Sequence, residues 1–488
     1  MLVVGLLRSL RWAPVPDQDA AVVGAGPNGL AAAVILARDG LRVTLYERAD
    51  TIGGGARTAE LTLPGFLHDV CSAVHPMALA SRFFRSFEIE KRMTFVVPDI
   101  SYAHPLDGGR AGLAYRDLAQ TVEHLGRDGP AWHRLLAPLV DRANELAQVS
   151  GTSLARWPQH PFTLAALGVR ALSQGGPLWN SRFREDVAPA LLTGALAHAN
   201  RGLPDFTAAA AGLVLATHAH AAGWAVPVGG SQSIVDAMAA DFTAHGGTIV
   251  TGVEITSLAQ LGDVGVKLFD VTPRALARIT GTNYAPRFKY GNAVAKVDYA
   301  LDGPVPWDAA ELASAPTIHL GGTRAAIALS ERTVAAGGMP SDPYVLVTQP
   351  SIVDASRAPA GKHTLWAYTH VPAGSPVDRS EAITSQIERF APGFRDLILA
   401  SSSSTALDVE SHNPNYIGGD ISAGDVSFGQ LLARPKLFTP WSTPIKGVYL
   451  CSASTAPGPG VHGMGGMNAA RLALAREFGI KELPGLGL

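Results

Sequence analysis

A chain of 488 residues exceeds what one hydrophobic core usually organises and predicts two or three compact units. With 39 Lys and Arg against 41 Asp and Glu and no basic run, it has no electrostatic footprint for nucleic acid. Only 16% of residues are charged and 47% are apolar, which points to an apolar ligand, a membrane surface, or a Gly- and Ala-rich chain that uses few charges.

The first segment, residues 1–18, reads as a leader. Its Leu6, Leu7, Leu10 and Trp12 belong either to a disordered stretch or to an interfacial foot making a peripheral membrane contact. No apolar run reaches the length needed to span a bilayer. Next, "AAVVGAGPNGLAAAVILARDGLRVTLYER" reads as a strand (20–23), a tight turn (24–29), a helix to about residue 39, Gly40 as C-cap, and a second strand (42–47). In this β-α-β unit Gly24 permits the turn, Gly26 lets backbone N–H groups approach a pyrophosphate, and Gly29 lets helix and sheet close up. Pro27 and Asn28 complete the turn. Glu47, ending the second strand, is placed to accept from ribose hydroxyls, so the pattern predicts FAD or NAD with a free 2′-hydroxyl. Arg48 follows, and Gly53, Gly54, Gly55, Arg57 and Thr58 form a second backbone cradle with a cation for the pyrophosphate.

Residues 226–258 predict a further β-α unit, with a helix near 231–244. Close to the C-terminus, "GVYLCSAS" reads as a strand, "PGPGVHG" as a turn with its own G-x-G-x-x-G, and "GGMNAARLALAREFG" as a helix. No second strand with an acid follows this turn. Cys71 and Cys451 are the only cysteines and give neither a disulfide framework nor a C-x-x-C dithiol, which fits a reducing cytoplasm. The fifteen histidines lack H-E-x-x-H spacing, so no metal is expected.

The blocks at 20–76, 226–258 and 447–474 together resemble the phytoene desaturase-like branch of the FAD-dependent amine-oxidase superfamily, the phytoene dehydrogenase-related oxidoreductases above all. The resemblance implies that FAD, rather than NAD, runs along the second cradle, and that Val253 or Ile255 lies against the adenine. It implies also that the C-terminal turn holds the flavin end of the same FAD, with Gly463, Gly465, Gly466, Met467 and Asn468 presenting backbone N–H groups to the ring. The chain departs from many relatives at Ser452, where they have Gly, and at Gly55, where they have the Arg found here two residues on.

The expected fold is α/β. A Rossmann-type FAD-binding domain is built from discontinuous segments (19–84, 221–289 and 431–488), and a substrate domain of mixed sheet plus helices is inserted as 85–220 and 290–430. Strands are expected at 295–301, 344–350 and 363–371, and helices at 117–125, 135–149 and 205–221, the last nearly apolar all round. The "DGPVPW" run is expected as a turn with Trp307 at a domain seam, and the Ser run 401–404 as a polar loop.

The expected activity is a two-electron oxidation in which an apolar, carotenoid-like substrate gives a hydride to flavin and loses a proton. His462 and His75 are the candidate proton acceptors or flavin tuners. His218 and His220 stand either at the cavity mouth or as satisfied interior rings. Lacking a second nucleotide fold, the protein would pass electrons to oxygen, a quinone or a protein acceptor. The alternatives are an amine oxidase, a redox-neutral polyene isomerase, or a flavoprotein acting only as a binding partner.

Overall fold

The computed structural model describes residues 18–488, so the leader with Leu6, Leu7, Leu10 and Trp12 lies outside the described residues. Five short strands form one parallel sheet in the order 448–450, 266–269, 20–23, 43–46, 248–250. The strand Ala20–Val23 is central and buried throughout, which explains its unbroken apolar run. Helix Pro27–Arg38 follows, with Pro27 in its first turn and Gly40 at φ +85° just past its end. Its residues from Asn28 to Ala37 are all buried, because the C-terminal helix Met464–Ala473 and helix Gln232–Ala244 pack against it.

Seven strands form a second, mixed sheet in the order 398–404, 293–301, 363–371, 345–348, 317–320, 100–106, 110–115, antiparallel except where 317–320 meets 100–106. The protein is therefore an α/β fold in which a parallel sheet assembled from distant segments stands beside a separate mixed sheet. One face of the mixed sheet packs Val297, Tyr299, Ile318, Val345, Val347 and Leu365 into an apolar core. Helices Pro161–Gly175, Val187–Ala197 and Phe206–Ala221 form another core with its opposite side. Helix Phe206–Ala221 starts at Asp205, whose side chain accepts from the Thr207 and Ala208 N–H groups at 2.9 Å.

Four expectations change. The Ser run is not a loop: Ile398–Ser404 is an edge strand paired with Ala293–Leu301, its alternating exposure satisfying the polar residues on the solvent side. Trp307 packs inside the core of the mixed sheet, with Nε1 donating to Gln349 Oε1 at 3.2 Å, and not at a seam. The helix expected at 135–149 is two, Gly129–Val140 and Ala143–Ser150. Phe87 and Ile89, beyond the expected boundary at 84, pack into the core around the first helix. Among the described residues no helix is long and apolar enough to cross a membrane.

Candidate active site

The strand Ala20–Val23 is flanked by two strands that each end in an acid, and both acids fold back on the glycine turn. Glu47 Oε2 accepts from Ala25 N–H and Oε1 from Ala49 N–H, both at 2.9 Å. Asp270 Oδ2 accepts from Gly29 N–H at 2.9 Å. A Cβ on Gly24, at φ +97°, would sit 2.8 Å from the Asp270 carbonyl, so that position excludes a side chain, and one on Gly26 would press 2.7 Å from Asp270 Oδ2 and displace that carboxylate. Burial pushes the Asp270 carboxyl up to about 7, with Glu47 adding to the rise and the Gly29 N–H opposing it. The sequence reading missed Asp270. The legible signal was "VKLFD", a strand ending in an acid as "TLYE" does.

The two glycine turns meet. Asn28 Oδ1, in the first helix, accepts from the N–H groups of Gly465 (3.1 Å) and Gly466 (3.4 Å) at the start of the C-terminal helix. A Cβ on Gly466 would run into the Asn28 carbonyl. The second turn is thus a packing partner of the first as well as a helix start.

One cavity of about 740 Å³ passes both turns. Its wall begins at Glu47, Arg48, Val253 and Ile255. It continues past Gly24, Gly26, Pro27, Asn28, Gly54, Gly55 and Arg57 to His75, Ser452, Val461 and His462. It then opens between Leu167, Val214, Trp224, Leu346, Trp366 and Tyr368. Helix Phe206–Ala221 lines this last part with Phe206, Ala210, Val214 and Leu215, which accounts for its apolar circumference.

Eight of the expected cofactor residues are off this wall. Gly29 is turned to Asp270, and Gly53 N–H donates to the Ala25 carbonyl. The Thr58 hydroxyl donates to Asp69 Oδ1 at 2.8 Å and accepts from Gln232 N–H. Gly463, Gly465, Gly466, Met467 and Asn468 are set behind the turn. The Gly465 and Gly466 N–H groups are taken by Asn28, and Met467 N–H by the Gly463 carbonyl. The wall at this end is made by Ser452, Ala453, Pro457 and Pro459 to His462 instead.

Arg57 NH2 lies 3.6 Å from Glu47 Oε1, and Arg57 Nε is buried with no acceptor. An unsatisfied guanidinium N–H on a cavity wall, next to the start of a helix, fits an anionic ligand such as a pyrophosphate.

His75 and His462 both reach the cavity, and burial pushes each ring down to about 4, so both are neutral at pH 7. Their roles differ. His462 Nδ1 accepts from Met464 N–H at 3.1 Å, and Gly458 and Pro459 hold the ring by their backbone, which makes it a cap of the C-terminal helix and not a free base. The Ser231 hydroxyl donates to the Ser72 carbonyl and therefore accepts from His75 Nε2 at 2.8 Å. That fixes the His75 proton on Nε2 and leaves the Nδ1 lone pair with only the Ser72 hydroxyl at 3.5 Å. His218 and His220 are buried away from this cavity, and His220 is held by Trp132 Nε1 and the Tyr115 carbonyl.

The model of the flavin containing amine oxidoreductase family matches residues 28–474. The chain belongs to that family. Its members carry a flavin, and the cradle, Glu47 and the unsatisfied Arg57 fit the nucleotide part of FAD. Among relatives, the chain is 25% identical to pyridine nucleotide-disulfide oxidoreductase domain-containing protein 2 of Rattus norvegicus, over 94% of this chain and 93% of that one. It is 27% identical to a phytoene dehydrogenase of Streptomyces griseus, over 79% and 78%. It is 32% identical to a 4,4'-diapolycopen-4-al dehydrogenase of Metabacillus indicus over 31% of each. Two solved structures share the fold. An oxidoreductase from Methanosarcina mazei aligns with a TM-score of 0.56 at 16% identity, covering 93% of this chain and 99% of that one. Cyclohexylamine oxidase from Brevibacterium oxydans aligns at 0.54 and 15%, covering 94% and 98%. As a member of this family the protein is an FAD-dependent oxidoreductase.

Beneath the Cys71–His75 wall lies a buried charge network that the sequence reading did not assign. Arg357 NH2 pairs with Asp69 Oδ2 at 2.6 Å with both side chains fully buried, and Lys296 Nζ pairs with Asp298 at 2.9 Å and donates to the Val70 carbonyl at 2.7 Å. These bonds tie the segment after the second cradle to the mixed sheet. In "AKVDYAL" the signal was two charges inside an otherwise apolar, wholly buried strand.

Proposed function

We propose that this oxidoreductase desaturates an apolar, isoprenoid-like substrate. The observation that carries the reading is the division of the cavity. The carboxylates on its wall, Glu47, Glu254 and Asp270, all stand in the nucleotide half, whereas the other half is walled by Leu164, Leu167, Val214, Leu215, Leu346 and aromatic rings. An alkylammonium there would lie without a counter-charge, at a desolvation cost an apolar chain does not incur. The names of the Streptomyces and Metabacillus relatives support the same substrate class.

In this reading Glu47 binds the ribose, Arg57 and the helix start at Gly26–Asn28 bind the pyrophosphate, Val253 and Ile255 flank the adenine, and the wall from Ser452 to His462 receives the ring. Bound there, FAD supplies the two-electron acceptor that takes a hydride from a substrate carbon. The apolar walls orient the chain and exclude water. His75, a wall residue whose Nδ1 lone pair meets only the Ser72 hydroxyl, is the candidate proton acceptor. The electrons would then pass to oxygen, a quinone or a protein acceptor.

Anaerobic mixing of the flavin-loaded protein with micellar phytoene, and separately with benzylamine and putrescine, tests this. The reading expects loss of the flavin's visible band with the polyene alone. Bleaching by the amines and not by the polyene would move the assignment to amine oxidation.

A further inference from the structure

The face of the mixed sheet that floors the apolar half of the cavity carries polar atoms without partners. Thr317, Thr348 and Trp366 lie opposite one another on neighbouring strands, and His319, Leu346 and Tyr368 form the adjacent row on the same face. All but His319 line the cavity. Thr317 Oγ1, Thr348 Oγ1 and Trp366 Nε1 are buried and unbonded among the described residues, a state that native proteins rarely leave unexplained.

Behind this floor His319 Nε2 faces Nε2 of His198, a cavity-wall residue, at 2.8 Å. Burial holds both rings far below the usual histidine range, so both are neutral, and the contact requires one ring to be protonated on Nε2 and the other on Nδ1. His319 Nδ1 is buried without a partner against Gly194. A proton there would be an orphan N–H, costlier than an orphan lone pair, so His319 carries its proton on Nε2 and His198 carries its own on Nδ1.

We infer that this floor anchors a neutral oxygen function, a carbonyl or hydroxyl, at one end of an otherwise apolar substrate, with His198 Nδ1–H as a principal donor. The His198 Nδ1–H can only donate, so the occupant must bring an acceptor. It need not be an ion, because the neighbouring Lys296 is paired with Asp298 and the Glu331 side chain is hydrogen-bonded to His370 Nδ1. The inference rests on the apolar-substrate reading and narrows it.

The test titrates farnesal, farnesol and the hydrocarbon farnesene, three ligands of one skeleton, into the flavin-loaded protein and follows tryptophan fluorescence, since Trp224 and Trp366 stand on the wall. The two oxygenated ligands should bind about tenfold more tightly than farnesene, the scale of one or two well-made hydrogen bonds. His198→Phe should abolish that preference with flavin content unchanged, and His198→Gln, which keeps a donor, should retain it. Should His198→Phe lose its flavin, Trp366→Phe carries the test, since it removes a donor and keeps the ring. Equal affinities in the wild type, or a preference undiminished in the variant that keeps its flavin, would overturn the inference. Binding of none of the three would instead overturn the apolar-substrate reading beneath it.

Discussion

Asp270 is a buried carboxyl whose proton is set by folding. Its value near 7 lies above the unfolded value of 3.8, so the folded state binds this proton more tightly and the associated stability is lost as pH rises from about 4 through 7. Asp270→Asn keeps an acceptor for the Gly29 N–H and removes the charge. The variant should show a higher Tm than the wild type at pH 8, no difference at pH 4, and tighter FAD binding at pH 8, because a carboxylate is removed from the wall beside the glycine turn that would hold the pyrophosphate. A Tm difference of equal size at both pH values would contradict the assignment. At His462 the bond from Met464 N–H predicts a capping effect. His462→Ala should lose about 1 kcal/mol of stability, as cap removal does, and His462→Asn should recover most of it. His75 is the contrasting case: His75→Phe should keep the flavin spectrum while slowing substrate-dependent flavin reduction, measured by anaerobic stopped flow.

Between elements, the buried pair Arg357 and Asp69 joins the short strand Leu67–Asp69, after the second cradle, to the turn Ala355–Arg357 that precedes strand His363–Val371 of the mixed sheet. Arg357→Met would leave Asp69 buried and ionised with only the Thr58 hydroxyl and the Ser231 N–H as donors, and should cost about 3–5 kcal/mol, read by chemical denaturation. Adding Asp69→Asn should return much of that loss, a coupling expected of direct partners. This layer shows where sequence reading stops. Strand, glycine turn, helix and C-cap at 20–47 were legible because each is a local choice of residue matched to a local conformation. The Ser run was misread because polarity alone does not separate a loop from an edge strand whose outer face meets water. The C-terminal N–H groups were assigned to the ligand because nothing in the local sequence announces that Asn28, more than four hundred residues away, takes two of them. Tertiary pairings of this kind, like the His198 and His319 contact, are set by packing and leave no periodic trace.

For the whole molecule, burial governs the response to acid. His68, His75, His104, His198, His218, His220 and His462 are held at about 3 to 4, below their unfolded value of 6.5. Their neutral burial contributes stability above pH 6.5 that is lost as pH falls toward 4, because the unfolded chain takes up those protons. The raised carboxyls Asp39, Asp270, Asp298 and Asp420 act in the opposite sense but are fewer. Denaturation midpoints should therefore fall steeply between pH 6.5 and 4; a flat profile would contradict the buried neutral rings. At the same scale the two glycine turns, among the described residues, border one cavity that continues to the apolar floor.

The most direct measurement is an anaerobic titration of the flavin-loaded protein with NADH and NADPH, following the visible flavin band. A single dinucleotide site filled by FAD, with electrons entering from an apolar substrate, predicts no bleaching by either nucleotide and full bleaching by dithionite. Rapid bleaching by NADH or NADPH would contradict that account and require a second nucleotide site.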